Sequence, residues 1–129
     1  MVDGIRLISM HVCERVDRLP DGSYQVINNM RAVGVEAFPI DFTAVVAVRF
    51  SGAGGPTRIR VDFVRVETGA VEMSRQAEVH VRASAAAHAQ LFPTRFNDVS
   101  PARYSVRAYV NDAFIGEIDF AILWEGSKN

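Results

Sequence analysis

Residues 100–122 read SPARYSVRAYVNDAFIGEIDFAI, and this stretch decides the fold. From Tyr104, apolar side chains fall on every second position: Tyr104, Val106, Ala108 and Val110. The order pauses at Asn111 and Asp112, then resumes through Ile118, Phe120 and Ile122. A period of two marks strands with one buried face. The stretch therefore predicts a hairpin of strands near 103–110 and 114–123, with those side chains turned to an interior. Pro101 and Tyr104 occupy the entry to the penultimate strand, where sandwich domains use a corner tyrosine. Tyr109 and Ile115 have the outward parity.

The same period extends back through the chain. Strand patterns cover 5–16, 23–33, 40–50, 57–66 and 73–82. Leu19-Pro20-Asp21-Gly22 is turn chemistry and joins the first two as a hairpin. The third pattern is apolar on both faces, with Phe42, Ala44, Val46 and Val48 against Val45 and Ala47, which suits a central, well-covered strand. In the fourth, Ile59, Val61 and Phe63 oppose Arg58, Arg60 and Asp62. Its alternation slips at Phe63-Val64, which predicts a bulge. Residues 84–89 are rich in alanine, and local propensity there favours helix. With Pro93 close by, they read as a loop entering a strand through Leu91, or at most one short helical turn. Residues 97–102 read as polar turn. The expected architecture is all-β: an antiparallel immunoglobulin-like β-sandwich of seven or eight strands, with a barrel as the alternative closure.

The chain has 129 residues, 49% of them hydrophobic and 22% charged, as expected of one globular domain with a sizeable core. A single β-sandwich domain over 1–129 is expected, with 124–129 as a flexible tail. The net charge is −1, and the arginines are scattered. This argues against electrostatic capture of nucleic acid or of an anionic membrane. One cysteine, Cys13, excludes a disulfide within the chain. The first residues lack the basic and apolar regions of a signal peptide, so a cytoplasmic protein is expected.

PDG at 20–22 leading into SYQVINNM, VDFVRVETGAV in mid-chain, and the closing SPARYSVRAYVNDAFIGEIDFAI come in an order that resembles a family of small bacterial proteins, a domain of unknown function. Its pattern has Pro-Gly-x-Tyr, an alternating strand, an Asp-Gly or Asn-Gly turn and a last strand ending in Phe-x-Val. Here Ala102 stands where that pattern often has Gly, and Asp112-Ala113 replaces its turn glycine. The resemblance implies an immunoglobulin-like sandwich and no activity.

Motifs for chemistry are sparse. His11 and Cys13, two apart, share a strand face and have the spacing of a ligand pair, but no second pair accompanies them. Cys13 lacks the helix N-terminus that commonly activates a thiol. Glu117 and Asp119 alternate with Ile118 and Phe120, as on a solvated strand face. SGAGGP at 51–56 leads into a strand and lacks the Lys-Ser/Thr of a phosphate loop. Arg58, Arg60, His80, Arg82 and Arg107 would form a basic patch, were Asp62, Glu78, Glu117 and Asp119 not on the same outward positions.

The expectation is thus a non-enzymatic domain, without cofactor or metal, that binds a protein partner or itself. Tyr109, Ile115 and Trp124 are its interaction candidates. The alternative is a small-ligand binder or enzyme with a site near the first hairpin, drawing on His11, Cys13, Tyr24 and Asn28, with Asn29 beside them. A structural subunit of a larger assembly is a third possibility.

Overall fold

The computed structural model describes residues 4–21, 23–35, 39–82 and 87–124. These form nine strands and no helix: β1 (Arg6–Arg18), β2 (Tyr24–Met30), β3 (Ala32–Val35), β4 (Ile40–Ser51), β5 (Gly55–Arg65), β6 (Val71–Val81), β7 (His88–Val99), β8 (Ala102–Val110) and β9 (Ala113–Trp124). Residues 83–86, which include the first half of the stretch weighed as a helical turn, and 125–129, within the expected tail, lie outside the described residues.

Two sheets face each other, with orders β2-β1-β4-β7 and β3-β9-β8-β5-β6. The chain crosses between them after β2, β3, β4, β6 and β7, and closes locally through the β1–β2, β5–β6 and β8–β9 hairpins. This is the Greek-key wiring of an immunoglobulin-like sandwich.

The expected second strand is two. The chain bends at Arg31: β2 stays antiparallel to β1, while β3 crosses to the other sheet and runs parallel to β9, with Val33 opposite Ile122. Arg31 C=O accepts the Ala121 N–H at 3.0 Å, which ties the crossing down. A change of sheet leaves the period of two intact, so the sequence pattern runs straight through it.

β7 starts before Leu91 and continues through 97–99, which had read as turn. It is an edge strand, so Pro93 within it breaks no ladder on its free side.

The core lies between the sheets. Val12, Val46, Ile59, Val61, Val106, Val110 and Ile122 are sealed from solvent. At its centre Phe96 stacks on Phe42 at 4.6 Å and meets Phe63 edge-on at 5.1 Å. Tyr104, Ala108 and Phe120 are buried as the alternation requires, and Ile118 is half-buried against the same cluster. Each fully buried aliphatic or aromatic side chain contributes about 1.5–3 kcal/mol. β4 is central in its sheet and its inward face is buried, whereas Val45 and Ala47 on its outward face are only half-buried.

Bulges decide which side chains leave the alternation. In β1 the register passes from Leu7↔Phe50 to Ser9↔Arg49, so Ile8 is the extra residue. In β6 it passes from Phe63↔Met73 to Val64↔Val71, at the slip expected from Phe63-Val64, and Glu72 is the extra residue. In β9 it passes from Ala108↔Gly116 to Tyr109↔Phe114, and Ile115 is the extra residue. An extra residue on one strand of a pair shifts its neighbours to the opposite face.

Candidate functional site

The β8–β9 hairpin turns through Asn111 and Asp112, both with positive φ (50° and 68°), as a tight two-residue turn that follows the strand twist demands. Asn111 Oδ1 accepts the Arg58 N–H at 2.9 Å, and Asn111 N–H donates to Arg58 C=O at 2.8 Å. The turn is thereby fixed to β5 and holds Asp112 3.4 Å from both Arg58 and Arg60.

The bulge at Ile115 corrects the expectation for this hairpin. Ile115 packs against the core instead of facing outward. Phe114, which alternation had not singled out, is the outward side chain, 54% exposed. It meets Tyr109 edge-on at 5.8 Å, and the Arg60 guanidinium caps the Tyr109 ring at 4.2 Å. Arg60 Nε also lies 3.2 Å from Asp62, which accepts the Ser74 hydroxyl at 2.6 Å. The second sheet thus carries an Arg60–Tyr109–Phe114 stack, half-buried at Arg60 and Tyr109 and exposed at Phe114, inside a mixed-charge surface. Arg107 pairs with Glu117 at 3.3 Å, so Arg58, Arg60 and Arg107 of the positions weighed as a basic patch, and Glu117 of the carboxylate pair, are in ion pairs.

Trp124 ends β9 opposite Val35 and is 57% exposed. It shares the parity of Phe120 and Ile122 but is mostly exposed. Ten residues of strand, roughly 33 Å, separate it from Phe114. The expected interaction residues therefore do not make one surface.

The first hairpin divides its candidates. His11 and Cys13 sit on the outer face of the first sheet, opposite Ala47 and Val45 of β4, which in turn oppose Leu91 and Pro93 of β7. Cys13 is sealed, its thiol donates to Val45 C=O at 3.4 Å, and burial pushes its pKa up. It is a protonated, packed thiol. Asn28 is exposed, has φ 54°, and donates to Glu14 at 3.3 Å; Asn29 is exposed opposite Cys13. His11 and Tyr24, however, line one groove of about 380 Å³ with Val26, Ala47 and Leu91. Tyr24 OH accepts from Arg18 at 2.6 Å, with the guanidinium 5.0 Å above the ring.

One cluster escaped the sequence reading. The β6 bulge places Glu72 against Arg65, with Arg65 Nη2 3.1 Å from Oε1 and Arg65 Nε 2.5 Å from Oε2. Tyr104 OH donates to the same carboxylate at 3.1 Å. The expected corner tyrosine is thus tied to a side chain of the neighbouring hairpin. Arg65 holds Glu72 below the usual carboxylate range, while burial, then the Glu72 bond, pushes the phenol up to about 12. A cavity of about 240 Å³ opens beside them, over Phe63 and Phe96. Only the slip at Phe63-Val64 signalled anything at this place.

Among the described residues no three His, Cys, Asp or Glu side chains gather to hold a metal, and no helix is long and apolar enough to cross a membrane.

No family model and no curated protein matches the chain. Solved structures similar in fold include two crystal structures. One is the CARDB domain of a Pyrococcus furiosus protein in complex with di-metal ions, 14% identical, covering 91% of this chain and 94% of that one, with a TM-score of 0.45. The other is an immunoglobulin-like protein from Pseudomonas aeruginosa, 11% identical, covering 94% and 98%, also with a TM-score of 0.45.

Proposed function

We propose that this sandwich is a non-enzymatic interaction domain that self-associates through the outer face of its second sheet. The observation that carries the reading is Phe114, more than half exposed, stacked on a Tyr109 that Arg60 caps. Aromatic side chains and arginine are the types that dominate binding energy at interfaces, and here they are already ordered by one another. The surrounding charges support a second copy as the partner. Arg58 and Asp112 flank the stack, so a two-fold arrangement can set each arginine against the other copy's aspartate.

The non-catalytic part of the reading rests on what the reactive groups are doing. Cys13 is packed and protonated, Glu72 is held by Arg65 and Tyr104, and Glu117 is held by Arg107. Sedimentation velocity over a range of concentrations tests the reading. The wild type should shift from monomer to dimer with concentration, and Phe114→Ser should stay a monomer. A wild type that is monomeric at every concentration overturns it.

A further inference from the structure

A sheet face that meets water should alternate polar residues outward, and the middle of the first sheet does not. Its outward rows run His11–Ala47–Leu91 and Cys13–Val45–Pro93 across β1, β4 and β7. The next row, Ser9–Arg49–Ala89, ends the apolar surface at one cation. Tyr24 and Val26 of β2 line one groove together with the His11–Ala47–Leu91 and Ser9–Arg49–Ala89 rows. Its volume, about 380 Å³, is within the roughly 300–1,000 Å³ of small-molecule sites.

The charge of this groove is one-sided. Arg49 lines it, is exposed, and has no carboxylate partner among the described residues. No Asp or Glu is among the lining residues. His11 lines the groove next to that row and has no hydrogen-bond partner among the described residues either. An apolar floor closed at one end by an uncompensated guanidinium matches a molecule with an apolar body and one anionic end.

We propose that this groove binds small amphipathic carboxylates, with the hydrocarbon across Ala47 and Leu91 and the carboxylate at Arg49. The site is independent of the Phe114 surface, which is on the other sheet.

Isothermal titration with octanoate tests it. The wild type should bind with one saturable site. Arg49→Gln should weaken octanoate at least tenfold and leave binding of the uncharged 1-octanol within about twofold. Leu91→Gln should weaken both. Phe114→Ser should bind octanoate as the wild type does, which keeps this test separate from that of self-association. Arg49 is exposed, so the circular dichroism and melting temperature of its variant should match the wild type. No saturable octanoate binding, or equal affinity in the wild type and Arg49→Gln, overturns the proposal.

Discussion

Tyr104 on β8 donates its phenolic hydrogen to Glu72 on β6 at 3.1 Å, across a strand that neither belongs to. β5 lies between them and supplies Arg65, which grips the same carboxylate. One bulged residue therefore ties three adjacent strands together at the end of the sandwich.

That arrangement makes stability depend on pH at both extremes. Glu72 is held below its ordinary value of 4.5, first by the Arg65 hydrogen bond. Its contribution is full above that value and is lost as pH falls through the lower folded pKa. Tyr104 is pushed up from 10 to about 12, first by burial. The folded state prefers the neutral phenol, so this contribution is full below pH 10 and is lost as pH rises toward 12. Urea midpoints across pH should fall in both windows. Tyr104→Phe should flatten the alkaline fall, and Glu72→Gln the acid one.

What alternation could tell is clear from β8 and β9. Tyr104, Val106, Ala108, Val110, Phe120 and Ile122 are buried as their spacing requires. Ile115 and Phe114 exchange roles because a bulge is a property of a pair of strands, while the pattern is read along one. Glu72 was hidden for the same reason. Arg31 was hidden because changing sheets leaves the period untouched. Of the first-hairpin candidates, His11 and Tyr24 converge in one groove, whereas Cys13 is sealed and Asn28 turns away to Glu14.

The bulge in β9 can be tested by stability alone. Ile115 packs on the core, so Ile115→Ala should cost about 1–2 kcal/mol, part of the 2–5 kcal/mol of a fully buried isoleucine. Phe114→Ala, at an exposed position, should stay within about 0.5 kcal/mol. Unbroken alternation through 114–118 would give the opposite ranking. Urea unfolding of the two variants decides it.

Two glycines of the 51–56 loop should respond differently to alanine. Gly52 and Gly55 both have positive φ, 91° and 77°. A side chain at Gly55 meets open space, so Gly55→Ala should cost only the backbone penalty of about 1–2 kcal/mol. At Gly52 the new Cβ runs into the carbonyl of Gly4, a main-chain group that cannot rotate away. Gly52→Ala should therefore lower the melting temperature clearly further than Gly55→Ala, and the loop should separate from the start of β1.

Cys13 should behave as a packed side chain toward reagents. It is sealed, bonded to Val45 C=O, and protonated through burial. A thiol reacts as its thiolate, so labelling by a disulfide reagent at neutral pH should be slow in the native state and fast in denaturant. Rapid native labelling would mean that the outer face of β1 is open at Cys13.

The last prediction concerns Asp62, a carboxylate 7% exposed on the outward side of β5. It accepts the Ser74 hydroxyl at 2.6 Å and lies 3.2 Å from Arg60 Nε. That nitrogen is buried and makes no aligned hydrogen bond, so what Asp62 supplies to it is charge. Asp62→Ala removes both the charge and the acceptor, which should cost roughly 1–3 kcal/mol. The loss stays below that of a fully buried ion pair, because Arg60 keeps Asp112 at 3.4 Å and the Tyr109 ring at 4.2 Å. Asp62→Asn keeps an acceptor for Ser74 and removes only the charge. If the two variants have the same urea midpoint, the charge facing Arg60 is the whole contribution. If Asn retains most of the stability, the bond to Ser74 carries it, and Arg60 is held chiefly by Tyr109 and Asp112.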